Sequence, residues 1–269
     1  MDKPLISVIT INYNNRSGLE RTIKSVINQV STDFEYLVID GHSEDGSVDI
    51  ICEYADQVDF WLSESDTGIY NAMNKGVANA HGKYVLFLNS GDMFYNNLVL
   101  KMVHDKLIGI NADYVVGDIV IKYRHHFDRI IRSPRNVTAD LIIVDALSHP
   151  ASFIKRDRLL ACPYDEKLKI VADWKQSFQD IIENNATYEK LDIIIAKFEP
   201  GGVSSTNRAL VEKERKRVYE ELFTPIMAEF FIELRQSQAI IIKKEDSIFF
   251  FKFVKVYKRI RRRISTFFK

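Results

Sequence analysis

The sequence predicts an α/β protein built as three layers around a mostly parallel central sheet. Three observations lead there. Between Leu5 and Leu88, apolar runs alternate with amphipathic stretches in a β-α-β-α-β-α-β order, the pattern of parallel strands joined by crossover helices. The runs are apolar at successive positions, as strands covered by helices on both faces are. Each run ends in polar residues: Thr10 and Asn12, Asp40, Ser63 to Asp66, and Asn89 to Asp92. Four polar strand ends in succession point to one cleft, because ligands of open α/β sheets bind outside the carboxyl ends of the strands.

The elements follow in order. Leu5 to Ile11 reads as a first buried strand, and Asn12-Tyr13-Asn14-Asn15 as its loop. Leu19, Ile23, Val26 and Ile27 recur at helical spacing. Tyr36 to Ile39 is a second strand, closed by the polar loop Asp40 to Ser47. In that loop Asp45 and Gly46 read as a turn and helix cap. Val48, Ile51, Cys52 and Ala55 mark the next helix, with Cys52 on its apolar face and therefore expected to be buried. Phe60-Trp61-Leu62 is a short strand, and Ile69 to Ala80 a helix. Tyr84 to Leu88 is the pivotal strand; it stops at the turn formers Asn89-Ser90-Gly91 and then presents Asp92. A carboxylate at that position can hold a hard cation such as Mg²⁺ or Mn²⁺.

Beyond Asp92 the alternation weakens. Leu98 to Ile108 reads as helix, Tyr114 to Ile121 as strand, Ala151 to Ile154 as strand, Asp173 to Ile182 as helix and Ile193 to Phe198 as strand. Residues 122 to 147 carry no clear period. Pro200-Gly201-Gly202 breaks the chain, and a single long charged helix is expected from Arg208 to Gln236. The reading gives residues 1–206 as the main domain and 207–269 as a helical extension.

Composition sets further bounds. At 269 residues, 46% hydrophobic and 28% charged, the chain is long enough for one large domain with a full core. Two cysteines make a disulfide framework unexpected and fit a reducing cytoplasm. The start, Met1-Asp2-Lys3-Pro4 leading into a strand, is expected to carry no signal peptide. No apolar run reaches the ~20 residues of a membrane span. The dinucleotide fingerprint Gly-x-Gly-x-x-Gly and the phosphate loop Gly-x-x-x-x-Gly-Lys-Ser/Thr are both missing. A nucleotide would therefore bind through side chains. No nucleic-acid partner is expected.

Charge is uneven. The stretch from Ser247 to Lys269 holds eight basic residues and no acidic one, so with 37 of each sign overall the remainder carries a net of minus eight. Drawn as a helix, Phe249, Phe253, Val256, Tyr257, Ile260, Ile264 and Phe267 share one face, and all eight basic residues fall on the rest of the arc. Such a helix suits the plane of an anionic membrane. Docking on the acidic body or a homodimer interface are the alternatives.

Several motifs match a family in order and spacing. They are Ile9-Thr10-Ile11-Asn12-Tyr13-Asn14, Ile39 to Ser47, Ser63 to Gly76, Asn89-Ser90-Gly91-Asp92, Ser148-His149-Pro150-Ala151-Ser152-Phe153 and Val171-Ala172-Asp173-Trp174. Over roughly residues 4 to 205 the chain resembles family 2 glycosyltransferases of the GT-A fold, the inverting, metal-dependent type of bacterial surface-polysaccharide synthesis. The resemblance implies a nucleotide-sugar donor, expected to be UDP-linked, and a saccharide acceptor, expected to be lipid-linked and met at the inner face of the cell membrane. It implies Thr10, Asn12, Asp40 and Asp66 as nucleoside contacts, with Ser43 and Lys75 as looser candidates. Asn89 and Gly91 are assigned to the donor site and Asp92 to the metal–diphosphate unit. Asn89 stands where the fuller Asp-x-Asp form has its first acid, so weaker metal binding is expected. Asp173 is implied as the catalytic base, against a plain helix N-cap. His149 and Trp174 are placed on the acceptor side, and Pro200 to Ser204 as a mobile loop. The rival class is a non-catalytic nucleotide-sugar or glycan-binding protein that keeps the fold.

Overall fold

The computed structural model describes residues 3–31, 33–123, 127–199 and 207–242. The chain divides into two compact units, Met1–Arg215 and Lys216–Lys269.

The first unit opens with the expected alternation: β1 (Ile6–Asn12), α1 (Arg16–Ile27), β2 (Phe34–Asp40), α2 (Ser47–Glu53), β3 (Phe60–Ser63), α3 (Ile69–Asn79) and β4 (Tyr84–Phe87). Then come β5 (Met93–Phe94), α4 (Val99–Leu107), β6 (Tyr114–Ile121), β7 (Arg129–Ile131), α5 (Ala139–Val144), β8 (Ser152–Lys155), α6 (Arg156–Ala161), α7 (Ala172–Phe178) and β9 (Tyr188–Phe198). The strands form one sheet in the order β3-β2-β1-β4-β8-β6-β9-β5, with β7 beside β6. The β3-β2-β1-β4 half is parallel, β8 runs antiparallel between β4 and β6, and β9 is parallel to β6.

Period-two alternation separates the two faces. Val8, Val38, Leu86 and Tyr84 join Leu19, Ile23 and Val26 of α1, Ile50 and Ile51 of α2, and Val99 and Val103 of α4 in the core. On the other face, Ile9 and Ile39 lie against Gly76 of α3. Each buried aliphatic side chain contributes about 1.5–3 kcal/mol, which fixes the register. That register sets Asn12 beside Asp40, and Asp40 beside Ser63. The polar strand ends therefore meet in one row.

Several expectations are corrected. Cys52 is exposed, because α2 ends at Glu53 and buries Ser47, Ile50 and Ile51 instead. The helix expected from Asp173 to Ile182 is α7 followed by a π-helical turn over Gln179–Glu183. The single long helix is two, α8 (Arg208–Leu222) and α9 (Pro225–Ile242). Pro225 explains the break: it has no N–H for the ladder and restricts Thr224 before it. In the second unit, Tyr219 and Phe223 pack on Phe231 with ring centroids 5.9 and 4.7 Å apart. No described helix is long and apolar enough to cross a membrane. Residues 200–206, 243–269 and with them the loop and tail readings lie outside the described residues.

Candidate active site

Three groups of polar side chains gather at the carboxyl ends of the parallel strands. The first is centred on Asp40. Its Oδ1 accepts from Asn12 Nδ2 at 2.7 Å and Ser43 Oγ at 2.6 Å, and its Oδ2 from Ser43 N at 2.9 Å and Ser63 Oγ at 2.7 Å. Burial works against the charge, but the hydrogen bonds from Ser43, Asn12 and Ser63 outweigh it and hold the carboxyl below its usual range. Four acceptor positions are the capacity of a carboxylate. Asp40 is thus a hub, and a ligand reaches it only by replacing one of these donors. Asn12 is nearly as buried, at 1% exposed, but among the described residues its Oδ1 has no partner.

Thr10 is corrected. Its hydroxyl is fully buried, donates to the Leu88 carbonyl at 2.8 Å and pairs with Tyr36 Oη at 3.0 Å. It ties β1 to its neighbours beneath the site and is closed to a ligand. Asp66 stands at the rim, where its Oδ1 accepts from Gly68 N at 2.8 Å. A Cβ on Gly41 would lie 2.6 Å from Asp66 Oδ2 and 3.1 Å from the Tyr13 ring. Tyr13, 67% exposed, therefore converges with Asp66 beside Asp40; sequence reasoning passed over it, although an aromatic just past a strand end was the signal. Lys75 is engaged by Glu64 at 2.7 Å and by the Ser65 carbonyl at 3.3 Å, so it braces the Ser63–Asp66 loop.

The second group is the Asn89–Asp92 loop. Gly91 has φ +106°, a conformation that glycine adopts without strain. The first turns of α1 clamp the loop. Thr22 Oγ1 donates to the Asp92 carbonyl at 2.7 Å and accepts from Gly91 N at 2.9 Å. Asn15 caps α1 through Gly18 N at 3.2 Å and donates to the Ser90 carbonyl at 3.0 Å. Neither Asn15 nor Thr22 was singled out from sequence, because a cap and a mid-helix Thr carry no chemical signature of their own. Asp92 is 9% exposed. Burial first, and then the nearby Glu199 charge, push its carboxyl up to about 8. Among the described residues none gives its side chain a hydrogen bond or an ion pair. Asn89 Oδ1 is likewise buried without a partner.

These features fit a hard cation. Among the described residues, two oxygen donors in one loop lack partners and the carboxylate lacks a counter-charge. The described residues hold no cluster of three His, Cys, Asp or Glu side chains, so most of the coordination would come from a ligand and water. Glu199, directly after β9, is an acidic neighbour that sequence reading missed, because it is 107 positions from Asp92.

The third group surrounds Asp173. The residue lies in the first turn of α7, whose N-cap is Val171, so the plain capping role is not the one it takes. Its Oδ1 accepts from Tyr70 Oη at 3.0 Å. Tyr70 packs on Tyr164 with ring centroids 5.7 Å apart, and His149 stacks on Phe87, the last residue of β4, at 5.2 Å. His149 Nε2 and Tyr164 Oη are 3.1 Å apart. Burial lowers the His149 pKa, against a smaller opposite pull from Asp173. A small pocket lined by Tyr114, His149, Ser152, Asp173 and Ser177 opens here. Trp174 is corrected: it is 1% exposed, donates Nε1–H to the Ile142 carbonyl at 2.7 Å, and its ring carries the Arg215 guanidinium at 4.3 Å. It anchors α7 from within the core.

Comparison with known proteins adds further findings. The family model described as Glycosyl transferase family 2 matches residues 7–157. The chain is 28% identical over 228 residues to the PGL/p-HBAD biosynthesis glycosyltransferase of Mycobacterium bovis (strain BCG / Pasteur 1173P2), covering 80% of this chain and 83% of that one. It is 28% identical over 203 residues to the putative teichuronic acid biosynthesis glycosyltransferase TuaG of Bacillus subtilis (strain 168), covering 74% of each. Among solved structures, S. aureus TarS 1-349 in complex with UDP-GlcNAc aligns with a TM-score of 0.65 at 17% identity, over 86% of this chain and 71% of that one. A longer TarS chain is spanned to 43%. The likeness to TarS is one of fold.

Proposed function

The chain belongs to glycosyl transferase family 2, and on that premise we propose that it moves a sugar, with inversion, from a UDP-linked donor to a lipid-linked saccharide acceptor in bacterial surface-polysaccharide synthesis. The observation that carries this reading is Asp92, a buried carboxylate in the loop between β4 and β5 that has no counter-charge among the described residues. The relatives in teichuronic acid and PGL/p-HBAD biosynthesis and the UDP-GlcNAc bound in TarS support the substrate classes.

In this reading Asn12, Asp66 and Tyr13 hold the nucleoside, with Asp40, Ser43 and Ser63 keeping Asn12 in place. Asn89, Gly91 and Asp92 face the diphosphate. Asp92 would hold a divalent cation, Mn²⁺ or Mg²⁺, which would supply positive charge to offset the charge building on the leaving diphosphate. Asp173 takes the proton from the acceptor hydroxyl as its oxygen attacks the anomeric carbon from the face opposite the diphosphate, a single displacement. His149, neutral and stacked on Phe87, borders the acceptor.

Donor turnover tests the reading. Incubated with nucleotide sugars and Mn²⁺ but no acceptor, the protein is expected to hydrolyse one UDP-sugar slowly. The same donor should raise the melting temperature, since a ligand at 100 times its Kd stabilises the native state by about 2.7 kcal/mol. A chain that is stabilised by a donor but never turns it over is a binding protein; one that responds to no nucleotide sugar is neither.

The basic tail completes the proposal. Residues 247–269 would lie on the anionic cytoplasmic leaflet, each basic residue contributing about 1 kcal/mol near the surface, and so bring the catalytic unit to a lipid-linked acceptor. Deleting them is expected to release the protein from anionic liposomes while leaving donor hydrolysis nearly intact. Full-length protein that does not sediment with such liposomes at low salt removes the membrane role, and a dimer that dissociates on the same truncation assigns the stripe to an interface.

A further inference from the structure

Asp173 has two carboxylate oxygens, and the structure treats them differently. Oδ1 accepts the Tyr70 hydroxyl at 3.0 Å. Oδ2 takes no hydrogen bond from any described residue. We propose that Tyr70 is a positioning residue for Asp173: its O–H fixes Oδ1 and leaves Oδ2 as the oxygen that receives the acceptor's proton. The inference rests on Asp173 as the base.

Geometry supports it from three sides. Tyr70 lies near the start of α3, buried, with its ring held by Tyr164. Tyr164 is itself packed edge-on to Phe87 and joined to His149. The segment that carries Tyr164 is fastened to α3 a second time, because Asn74 donates to the Tyr164 carbonyl at 2.9 Å and accepts from its N–H at 3.0 Å. Asn71 and Asn74 both donate to Glu166 at 2.8 Å. The helix bearing the phenol and the chain leading into α7 are thus locked together, and the Tyr70–Asp173 distance is set by both. The titratable groups that face Asp173 are Tyr70 from α3, Tyr164 from the stretch before α7, and His149 from the turn before β8. Burial, and then the Asp173 charge, keep the Tyr70 phenol protonated well beyond neutral pH. It can therefore only donate to the carboxylate.

Tyr70→Phe keeps the ring and its packing but removes the donor. The expected result is a fall in kcat of roughly ten- to a hundredfold, the worth of one hydrogen bond to a charged group, with little change in donor KM. The melting temperature should stay near that of the parent. In the Asp173→Asn background the same substitution should have no further effect on the residual rate, because Tyr70 acts through Asp173. A normal kcat in Tyr70→Phe, while Asp173→Asn is inactive, overturns the positioning role and spares the base. Additive losses in the double variant also overturn it. Full activity in Asp173→Asn removes the base itself, and the inference with it. Should Tyr70→Phe melt early, Tyr164→Phe serves as the packing control: an equal kcat loss there makes the effect one of folding and overturns the role.

Discussion

Asp92→Ala is expected to abolish sugar transfer in the presence of Mn²⁺ or Mg²⁺, with a loss of at least roughly a hundredfold, because several kcal/mol of leaving-group charge stabilisation depend on this carboxylate. Nucleotide-sugar affinity should fall when metal is present and change less in EDTA, where the metal contact is already gone. Calorimetric titration of a UDP-sugar with and without Mn²⁺ measures both. Near-normal transfer by the variant, or full activity of the parent in excess EDTA, rules the metal role out.

The same residue predicts a pH dependence of stability in the metal-free protein. Burial and Glu199 raise the native Asp92 pKa to about 8, far above the unfolded carboxyl near 3.9. The native state then binds more protons than the unfolded one between those values, and stability falls as pH rises through them. Its contribution is fully present below the unfolded value and is lost above about pH 8. Asp92→Asn carries no charge to bury. In EDTA it should therefore melt at a higher temperature than the parent at pH 9 and at nearly the same temperature at pH 4. Adding Mn²⁺ at pH 8 should stabilise the parent and not the variant. A difference in melting temperature that is flat across this range contradicts the burial of an uncompensated charge.

The sequence was most legible where burial is total. Tyr84 to Leu88 reads as a covered strand because nothing polar interrupts it, and the strand ends follow directly from where such runs stop. Asn12 and Asp40 could be placed together because parallel register aligns equivalent strand ends. Thr10 was misjudged by depth: it shares a face with Asn12, two residues away, but lies one pleat further in, under Tyr36 and Leu88. Trp174 was misjudged by proximity. Adjacent helical residues point about 100° apart, so a helix that turns Asp173 to Tyr70 turns Trp174 elsewhere. Cys52 failed for the same reason on a helix too short to define a stripe. Thr224-Pro225 was a visible break that the long run of charged residues obscured. The contacts from Asn15, Thr22, Tyr70 and Glu199 could not be read at all. Each joins residues between 70 and 103 positions apart or follows from where a distant strand ends, and a buried Tyr at helical spacing looks like any core residue.

Asp173→Asn is the sharpest test of the chemistry. The amide keeps the size of the carboxyl, and its oxygen can still accept the Tyr70 O–H, so the 3.0 Å contact has no reason to break. What is lost is a second oxygen able to take a proton. A positioned general base contributes roughly 10²–10⁴ to the rate, and kcat should fall by that factor while nucleotide-sugar binding, seated at Asp92 and Asn12, is retained. The competing account makes Asp173 only a favourable charge in the first turn of α7, worth about 0.3–1 kcal/mol. In that case the variant would transfer sugar normally and melt no more than about 4 °C earlier. The two accounts differ by orders of magnitude in kcat and in opposite directions in which property moves, so kcat and melting temperature measured on one preparation separate them. Retained donor binding with lost turnover places the defect at the proton transfer. Lost binding as well would mean that α7 had shifted, and Tyr70 would then have failed to hold the amide where it holds the carboxylate.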